Sequence, residues 1–246
     1  MRCDILTLFP EMVEAVLNAS ILKRARAKGL VEARVVNLRD YTEGRHKVAD
    51  DYPYGGGTGM VLKPEPIFRA VEALRAQGDD QRLLLMSPQG RRFTQTVAEE
   101  FAKDPRRLVF VCGHYEGIDE RVRIGLMPEE LSVGDYVLTG GELAALIVVD
   151  ATARLVPGVL GDSLSAGADS FAGSLLEYPH YTRPPVFRGL QVPEVLRSGN
   201  HRAIQAWRHA RALWNTYTKR PDLLEQARLT SEDRQALNEL SRQDQA

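Results

Sequence analysis

The sequence predicts an α/β fold in which helices cover both faces of a mostly parallel sheet. Short apolar runs alternate with amphipathic segments through the first 160 residues, and this alternation is typical of a parallel sheet. Three of the apolar runs lead into loops that contain glycine and little charge. A chain of 246 residues is long enough for one large domain, or for a domain with a small appendage.

The first predicted elements are two strands on either side of a helical segment. Residues 3–8 and 33–38 form apolar runs of strand length, and residues 11–28 are predicted to be helical. Pro64 suits the start of the next helix, because the apolar residues that follow it have helical spacing. The chain therefore opens with the alternation expected of an α/β sheet.

The strand, helix, strand order then recurs at residues 83–86, 94–102 and 108–111, and a further helix is predicted over 142–154. Ligands in such sheets usually bind at the carboxyl ends of the strands. We therefore expect a pocket for a mostly neutral ligand. Its walls are predicted to be the loops at residues 87–90, 112–118 and 131–141.

The loop at 131–141 carries the strongest signal. A helix does not need glycine, and a strand is weakened by it, so Gly134, Gly140 and Gly141 indicate a sharp bend that lets another group approach closely. A second glycine-rich stretch at 50–59 fits neither the GxGxxG pattern nor a P-loop. That stretch either approaches a ligand or forms an ordinary turn.

Composition and charge limit the possible classes of protein. The two cysteines form no CxxC pair, which favours a reduced cytoplasm, and no apolar run is long enough to span a membrane. The net charge of −1 hides a basic segment: residues 183–220 contain eight Lys or Arg and one acid, a net +7. Such a segment suggests binding to a polyanion, although many basic helices are simply solvated.

The chain is predicted to divide into three parts. Residues 1–160 form the α/β domain, and residues 161–176 a flexible linker, because ten of the fourteen residues at 161–174 are Gly, Ser or Ala. Residues 177–246 form a small helical domain with a long helix over 201–217. Thr230 and Asp233 resemble the capping signal of its last helix.

Two charged residues are candidates for catalysis. Asp169 in the linker is either a solvated carboxylate or a general base carried by a mobile lid. Arg154 at a predicted helix end either interacts with the helix dipole or stabilises an oxygen that becomes negative. The segment 179–185 interleaves aromatic and basic residues, as RNA-binding loops and proline-rich turns both do. The histidines form no cluster with metal-ligand spacing, so no metal site is predicted.

Together these motifs resemble the bacterial tRNA (guanine-N1)-methyltransferases, which are knotted SPOUT-type enzymes. The resemblance covers almost the whole chain. It is carried by Tyr54-Gly-Gly-Gly-Thr-Gly-Met60, Ser87-Pro-Gln-Gly90, Tyr115-Glu-Gly-Ile-Asp-Glu-Arg-Val122, Gly134-Asp-Tyr-Val-Leu-Thr-Gly-Gly-Glu142, Arg154-Leu-Val-Pro-Gly-Val159, Asp169-Ser-Phe171 and Pro179-His-Tyr-Thr-Arg-Pro184. Three positions depart from the usual pattern, with His114 in place of arginine, Thr58 in place of a smaller residue or proline, and Ala144 in place of proline.

The resemblance implies a deep trefoil knot that binds S-adenosylmethionine in a bent shape, an obligate homodimer with active sites shared between chains, and help from Mg²⁺. It also implies methyl transfer to N1 of the guanosine at tRNA position 37, just 3′ of the anticodon. Family ligand contacts fall on Met86, Pro88, Gly113, Tyr115, Glu116, Val133, Gly134, Asp135, Tyr136, Val137, Leu138, Gly140 and Gly141.

Within this resemblance Asp169 is expected to take the N1 proton and Arg154 to stabilise O6. The basic segment is expected to grip the anticodon stem, with Arg183, Arg202, Arg208 and Arg211 as RNA-binding residues. Two alternatives remain open: a related knotted methyltransferase that acts on ribose 2′-hydroxyls, which would not need a base such as Asp169, and an RNA-binding protein that keeps only the pocket.

Overall fold

The computed structural model describes residues 1–161, 169–171, 175–225 and 227–244, with side chains as far as residue 238. The chain forms two compact units, Met1–Gly161 and Asp162–Ala246. Most of the predicted linker, residues 162–168 and 172–174, lies outside the described residues.

The first unit has a five-stranded sheet in the order β2-β1-β6-β5-β7, and all neighbouring strands are parallel. This confirms the predicted α/β class. A separate two-stranded antiparallel sheet joins β3 and β4. The strands are β1 (Arg2–Thr7), β2 (Glu32–Asn37), β3 (Asp50–Asp51), β4 (Val61–Leu62), β5 (Gln81–Arg92), β6 (Arg107–Cys112) and β7 (Glu129–Ser132). The helices are α1 (Pro10–Leu17), α2 (Ser20–Ala27), α3 (Pro64–Arg75), α4 (Gln95–Lys103), α5 (Arg121–Leu126) and α6 (Glu142–Ala153).

Two hydrophobic cores lie on opposite faces of this sheet. Successive strand residues point to opposite faces, so along β6 the side chains of Leu108 and Phe110 join one core while Val109 and Val111 join the other. Residues of α1, α2, α4 and α6 complete the first core, and residues of α3 and α5 complete the second. Because helices cover both faces, β6 is buried along its whole length.

A buried ion cluster lies at the amino ends of β1 and β6. The Asp4 side chain is fully buried and receives two hydrogen bonds from Arg34, at 2.7 and 2.8 Å. Arg107, itself buried, donates to the same carboxylate at 3.2 Å and also to Asp79 and Glu32. Several hydrogen-bonded partners offset the cost of placing these charges inside the protein.

The structure corrects two predicted element boundaries. Residues 11–28 form two helices rather than one, and they are separated near Ser20, whose φ of 46° lies in the left-handed region. The stretch 87–90 is not a loop beyond a short strand. β5 instead continues to Arg92, with a shift of register against β7 between Met86 and Arg91.

The second unit consists of a short hairpin and helices. The sequence did not predict the antiparallel hairpin of β8 (Val186–Phe187) and β9 (Leu190–Gln191). The helices are α7 (Glu194–Arg197), α8 (His201–Lys219) and α9 (Ser231–Asp244), with a 3₁₀ turn at Pro221–Glu225.

The ends of these helices follow the local sequence. The Asn200 side chain accepts a hydrogen bond from Ala203 N at 3.1 Å and caps α8. Thr230 and Asp233 exchange hydrogen bonds of 3.0 and 3.1 Å at the start of α9, which confirms the predicted capping signal. Within the described part of the chain, no helix combines the length and hydrophobicity needed to cross a bilayer.

Candidate functional site

A cavity of about 280 Å³ lies at the carboxyl ends of β6 and β7, and residues 85–89 in the middle of β5 form a further part of its wall. This is the edge of the sheet where the sequence predicts a ligand. Twelve of the thirteen residues predicted to contact a cofactor line this cavity, and the remaining one, Asp135, is exposed on the same loop outside the wall. The twelve are Met86, Pro88, Gly113, Tyr115, Glu116, Val133, Gly134, Tyr136, Val137, Leu138, Gly140 and Gly141.

The loops that follow β6 and β7 are joined directly by main-chain hydrogen bonds. Gly141 N donates to Gly113 O at 2.8 Å, and His114 pairs with Gly140 in an isolated antiparallel bridge. A Cβ atom at Gly141 would lie 2.8 Å from the Cα of Cys112 and 3.1 Å from the Cβ of Met86. The main chain of Gly141 therefore lies very close to Cys112 and Met86, as the glycine at this position predicts. Only glycine allows this approach without displacing the main chain.

The loop after β7 turns at once. Ser132 Oγ accepts a hydrogen bond from Gly134 N at 3.2 Å, which forms a local side-chain turn. Gly134 has a φ of 152°, and a Cβ there would overlap the ring of Tyr136. The turn brings Tyr136 and Val137 to the cavity wall while leaving much of both side chains exposed.

The loop after β6 holds one residue in an unfavourable conformation. Tyr115 has a φ of 57°, which is uncommon for a residue with a side chain. Glu116 N donates to Met60 O at 3.0 Å, and Gly59 packs against the Glu116 side chain. The end of the glycine-rich stretch at 50–59 therefore lies against this wall of the cavity.

A buried carboxylate supports the same wall. Glu142 is 1% exposed, its Oε1 accepts a hydrogen bond from Thr7 Oγ1 at 2.7 Å, and its Oε2 lies 3.6 Å from His114 Nδ1. The ring of His114 also packs against Phe9, with 4.5 Å between the ring centroids. Burial, and to a lesser degree the charge of Glu142, raises the pKa of the Cys112 thiol, so this thiol stays protonated.

Sequence reasoning missed several residues of the site. Glu142 was available as a signal, because it is an acid at the first position of an otherwise apolar helix. Arg123 lines the cavity and forms hydrogen bonds with Glu130 at 3.2 Å and Glu120 at 2.9 Å. In the sequence it stands in a run of mixed charges that gives no indication of a pocket.

The predicted catalytic residues lie in different units. Arg154 directly follows α6, and its main-chain nitrogen donates to Asp150 O at 3.1 Å. Asp169 belongs to the second unit, in the short described stretch 169–171, where it is half-buried.

The predicted RNA-binding arginines all lie in the second unit. Arg202, Arg208 and Arg211 are on α8, and Arg183 is in the exposed segment before β8. Among the residues that the structure describes, no three His, Cys, Asp or Glu side chains are grouped as a metal site would require.

Comparison with known proteins gives one consistent result. The family described as "tRNA (Guanine-1)-methyltransferase TrmD" matches residues 1–226. Proteins named tRNA (guanine-N(1)-)-methyltransferase from Bacillus cereus (strain AH820), Bacillus anthracis (strain A0248) and Bacillus thuringiensis subsp. konkukian (strain 97-27) are each 56% identical to this chain over 241 residues. In each case the match covers 98% of this chain and 98% of the relative.

Proposed function

This chain belongs to the tRNA (guanine-1)-methyltransferase family, and from that premise we propose which of its residues carry the reaction. It is an S-adenosylmethionine-dependent enzyme that methylates N1 of the guanosine at tRNA position 37. The observation that carries the residue assignment is the cavity at the ends of β6 and β7 and beside the middle of β5, where glycines let three chain segments meet.

The cavity suits S-adenosylmethionine in shape and in charge. The described residues of its wall are mostly apolar or uncharged, and Gly140 and Gly141 let the two loops of the wall lie closer together than side chains would allow. Glu116 and Arg123 add one acid and one base, which can hold the amino and carboxylate groups of an amino acid moiety. The bound cofactor supplies an electrophilic methyl group on a sulfonium.

Guanine N1 carries a proton at neutral pH and is a poor nucleophile until that proton leaves. We assign its removal to Asp169, and general-base catalysis of this kind contributes roughly 10²–10⁴-fold to the rate. As the proton leaves, negative charge develops on O6, and we assign its stabilisation to Arg154. Loss of a donor to such an oxygen costs roughly 10²–10³-fold.

The test is nucleoside mass spectrometry of tRNA incubated with the protein and S-adenosylmethionine. Formation of 1-methylguanosine is expected, and 2′-O-methylguanosine would instead indicate the ribose methyltransferase. Asp169→Asn should lower kcat by at least about 10²-fold with the Kd of the cofactor unchanged by calorimetry. Asp222→Asn, which alters an exposed carboxylate paired with Arg220, is the matched control. Near-parental turnover of Asp169→Asn would refute the assignment of the base.

We also propose a homodimer, and an apolar stripe on the first unit supports it. α1 packs against α6, and together they expose Met12, Val16, Leu143 and Ile147, each between 39 and 45% exposed. The two residues on each helix are four positions apart and so lie on one face. A second copy of the chain would remove this stripe from water.

Light scattering after gel filtration tests the dimer. Ile147→Glu should shift the protein toward a monomer, because it places a charge inside the proposed interface. Ile124→Glu, at a 70% exposed position on α5, should leave the mass unchanged. A dimer that survives Ile147→Glu unaltered would place the interface elsewhere.

We propose two further properties, stimulation of the reaction by Mg²⁺ and a cytoplasmic location. Stimulation by Mg²⁺ is implied by the resemblance, and it is tested by measuring methyl transfer after dialysis against EDTA and after Mg²⁺ is restored. A cytoplasmic location is supported by the two buried free cysteines and by a tRNA substrate.

A further inference from the structure

A second cavity lies within the second unit and is separate in its lining from the cofactor pocket. Its volume is about 610 Å³, it is open to solvent on one side, and it is lined by the segment 178–185, by α7 and by one face of α8. The start of that segment is fixed to α8, because Leu176 N donates to the buried Thr216 Oγ1 at 2.8 Å and Asn215 Nδ2 donates to Glu177 O at 2.8 Å. The cavity therefore has a rigid wall.

The aromatic residues of this cavity include one tilted pair and one ring that contacts a cation. Tyr181 and Trp207 lie with their ring centroids 6.3 Å apart, and the guanidinium carbon of Arg208 lies 4.8 Å from the centre of the Tyr178 ring. Tyr181 is 46% exposed, so much of its ring is accessible. Open aromatic faces of this kind bind flat rings by stacking, whatever the identity of the ring.

The charged side chains that line the cavity are positive. Arg183, Arg197 and Arg208 line it, and none of the described lining residues is acidic. The nearby Glu177 is engaged by His180 at 2.6 Å. The Arg208 side chain lines the cavity, so its guanidinium can offer a charge-assisted hydrogen bond to an anionic oxygen bound there.

We propose that this cavity binds one unpaired nucleotide of the tRNA. Its base stacks on the exposed ring of Tyr181, beside Trp207, and its phosphate is held by the three arginines. The nucleotide must be unpaired, because a base within a helix cannot present its face to a side chain. The inference rests on the proposed function, since it takes tRNA as the substrate, and it adds a binding site whose lining residues differ from those of the cofactor pocket.

Trp207 provides a direct test by fluorescence. In the full chain with Trp214→Phe, Trp207 is the only tryptophan, and titration with an unmodified tRNA transcript should quench it. A poly-glutamate peptide of similar charge is the second probe. Equal quenching by this peptide would overturn the nucleotide assignment in favour of an acidic protein partner.

Kinetics provide the second test. Tyr181→Ala should raise the KM for tRNA by roughly 5- to 150-fold, which corresponds to one stacked base, with kcat at saturating tRNA within about twofold of the parent. Tyr181→Phe keeps the ring and should keep the parental KM. Arg197→Gln should raise the KM and lower its salt dependence, whereas the control Arg220→Gln, already paired with Asp222, should not.

The outcomes separate this inference from the proposed function. A parental KM for Tyr181→Ala, without quenching of Trp207 but with normal 1-methylguanosine formation, would overturn the cavity assignment and leave the function standing. A parent protein that forms no 1-methylguanosine would overturn both.

Discussion

Substitution of Gly141 by alanine tests the architecture of the cofactor pocket with a single methyl group. The φ of Gly141 is −79°, which alanine adopts without strain, so the effect of the change comes from space alone. The added Cβ would lie 2.8 Å from the Cα of Cys112 and 3.1 Å from Gly113 N. Both are main-chain atoms and cannot rotate away, so one of the two loops must move.

The size of the effect follows from these distances. Forcing an extra methyl group into a packed site typically costs about 1–3 kcal/mol. If the loop moves in the free protein and must return when the ligand binds, the Kd for S-adenosylmethionine rises by roughly 5- to 150-fold. If the loop cannot move, the same strain lowers the Tm by about 2–4 °C for each kcal/mol.

Calorimetric titration with S-adenosylmethionine and thermal unfolding measure these two outcomes together. The matched control is Gly161→Ala, because a Cβ at that position meets no atom of the described residues within 4 Å. The control should leave both quantities unchanged. If Gly141→Ala also kept the Kd within twofold and the Tm within about 1 °C, the two loops would not meet as described, and the glycine cradle would not explain the pocket.

Arg107→Met should lower the free energy of unfolding by about 3 kcal/mol, because it removes a cation from the buried Asp4 carboxylate; an unchanged Tm in scanning calorimetry would contradict this. The pKa of Asp104 is lowered to about 2, chiefly by the guanidinium two residues further along the chain, so its ionised form stabilises the fold above about pH 4 and that stability is lost as the pH falls through about 2. Urea titrations between about pH 2 and 5 should show a shallower acid-side loss of stability for Asp104→Asn than for the parent. Replacing Arg202 and Arg211 by Gln should reduce the slope of log KM for tRNA against log salt by roughly 0.7–0.9 for each phosphate that the protein no longer neutralises; a parental slope would remove both residues from the interface.

Local patterns predicted the sheet and the position of the pocket well. The apolar runs within β1, β5 and β6 were evident because the central residues of these strands are buried on both faces of the sheet. The glycines at 140 and 141 indicated the close approach that the hydrogen bond from Gly141 N to Gly113 O makes. The apolar character of a strand and the space that a glycine leaves are local properties and can be read from the sequence, whereas the segment that approaches the glycine cannot.

Features that depend on distant partners were not predictable. The extension of β5 through Ser87 and Pro88 looks like a turn, and it is extended because its far end pairs with β7. The break between α1 and α2 contains neither Gly nor Pro and so carries no sequence signal. The hairpin at 186–191 was missed because its strands are only two residues long.

The contact between His114 and Glu142 is a long-range feature of the site that the sequence could not predict. The sequence identified His114 as a departure from the family pattern, but it could not reveal that a buried carboxylate faces the imidazole at 3.6 Å. The contact joins residues 28 positions apart, and the fold creates it when the two glycine loops meet. Similarly, Arg123 became visible as a pocket residue only when α5 was placed beside β7.

The buried ion cluster and the ligand cavity occupy opposite ends of the same strands. Arg107 begins β6 and Cys112 ends it, a separation of about 16 Å at the usual rise of a strand. Effects of substitutions this far apart usually add independently. Substitutions in the ion cluster should therefore change the thermal stability of this protein without changing its affinity for the cofactor. An engineered variant could gain thermal stability in this way and keep its Michaelis constant for S-adenosylmethionine.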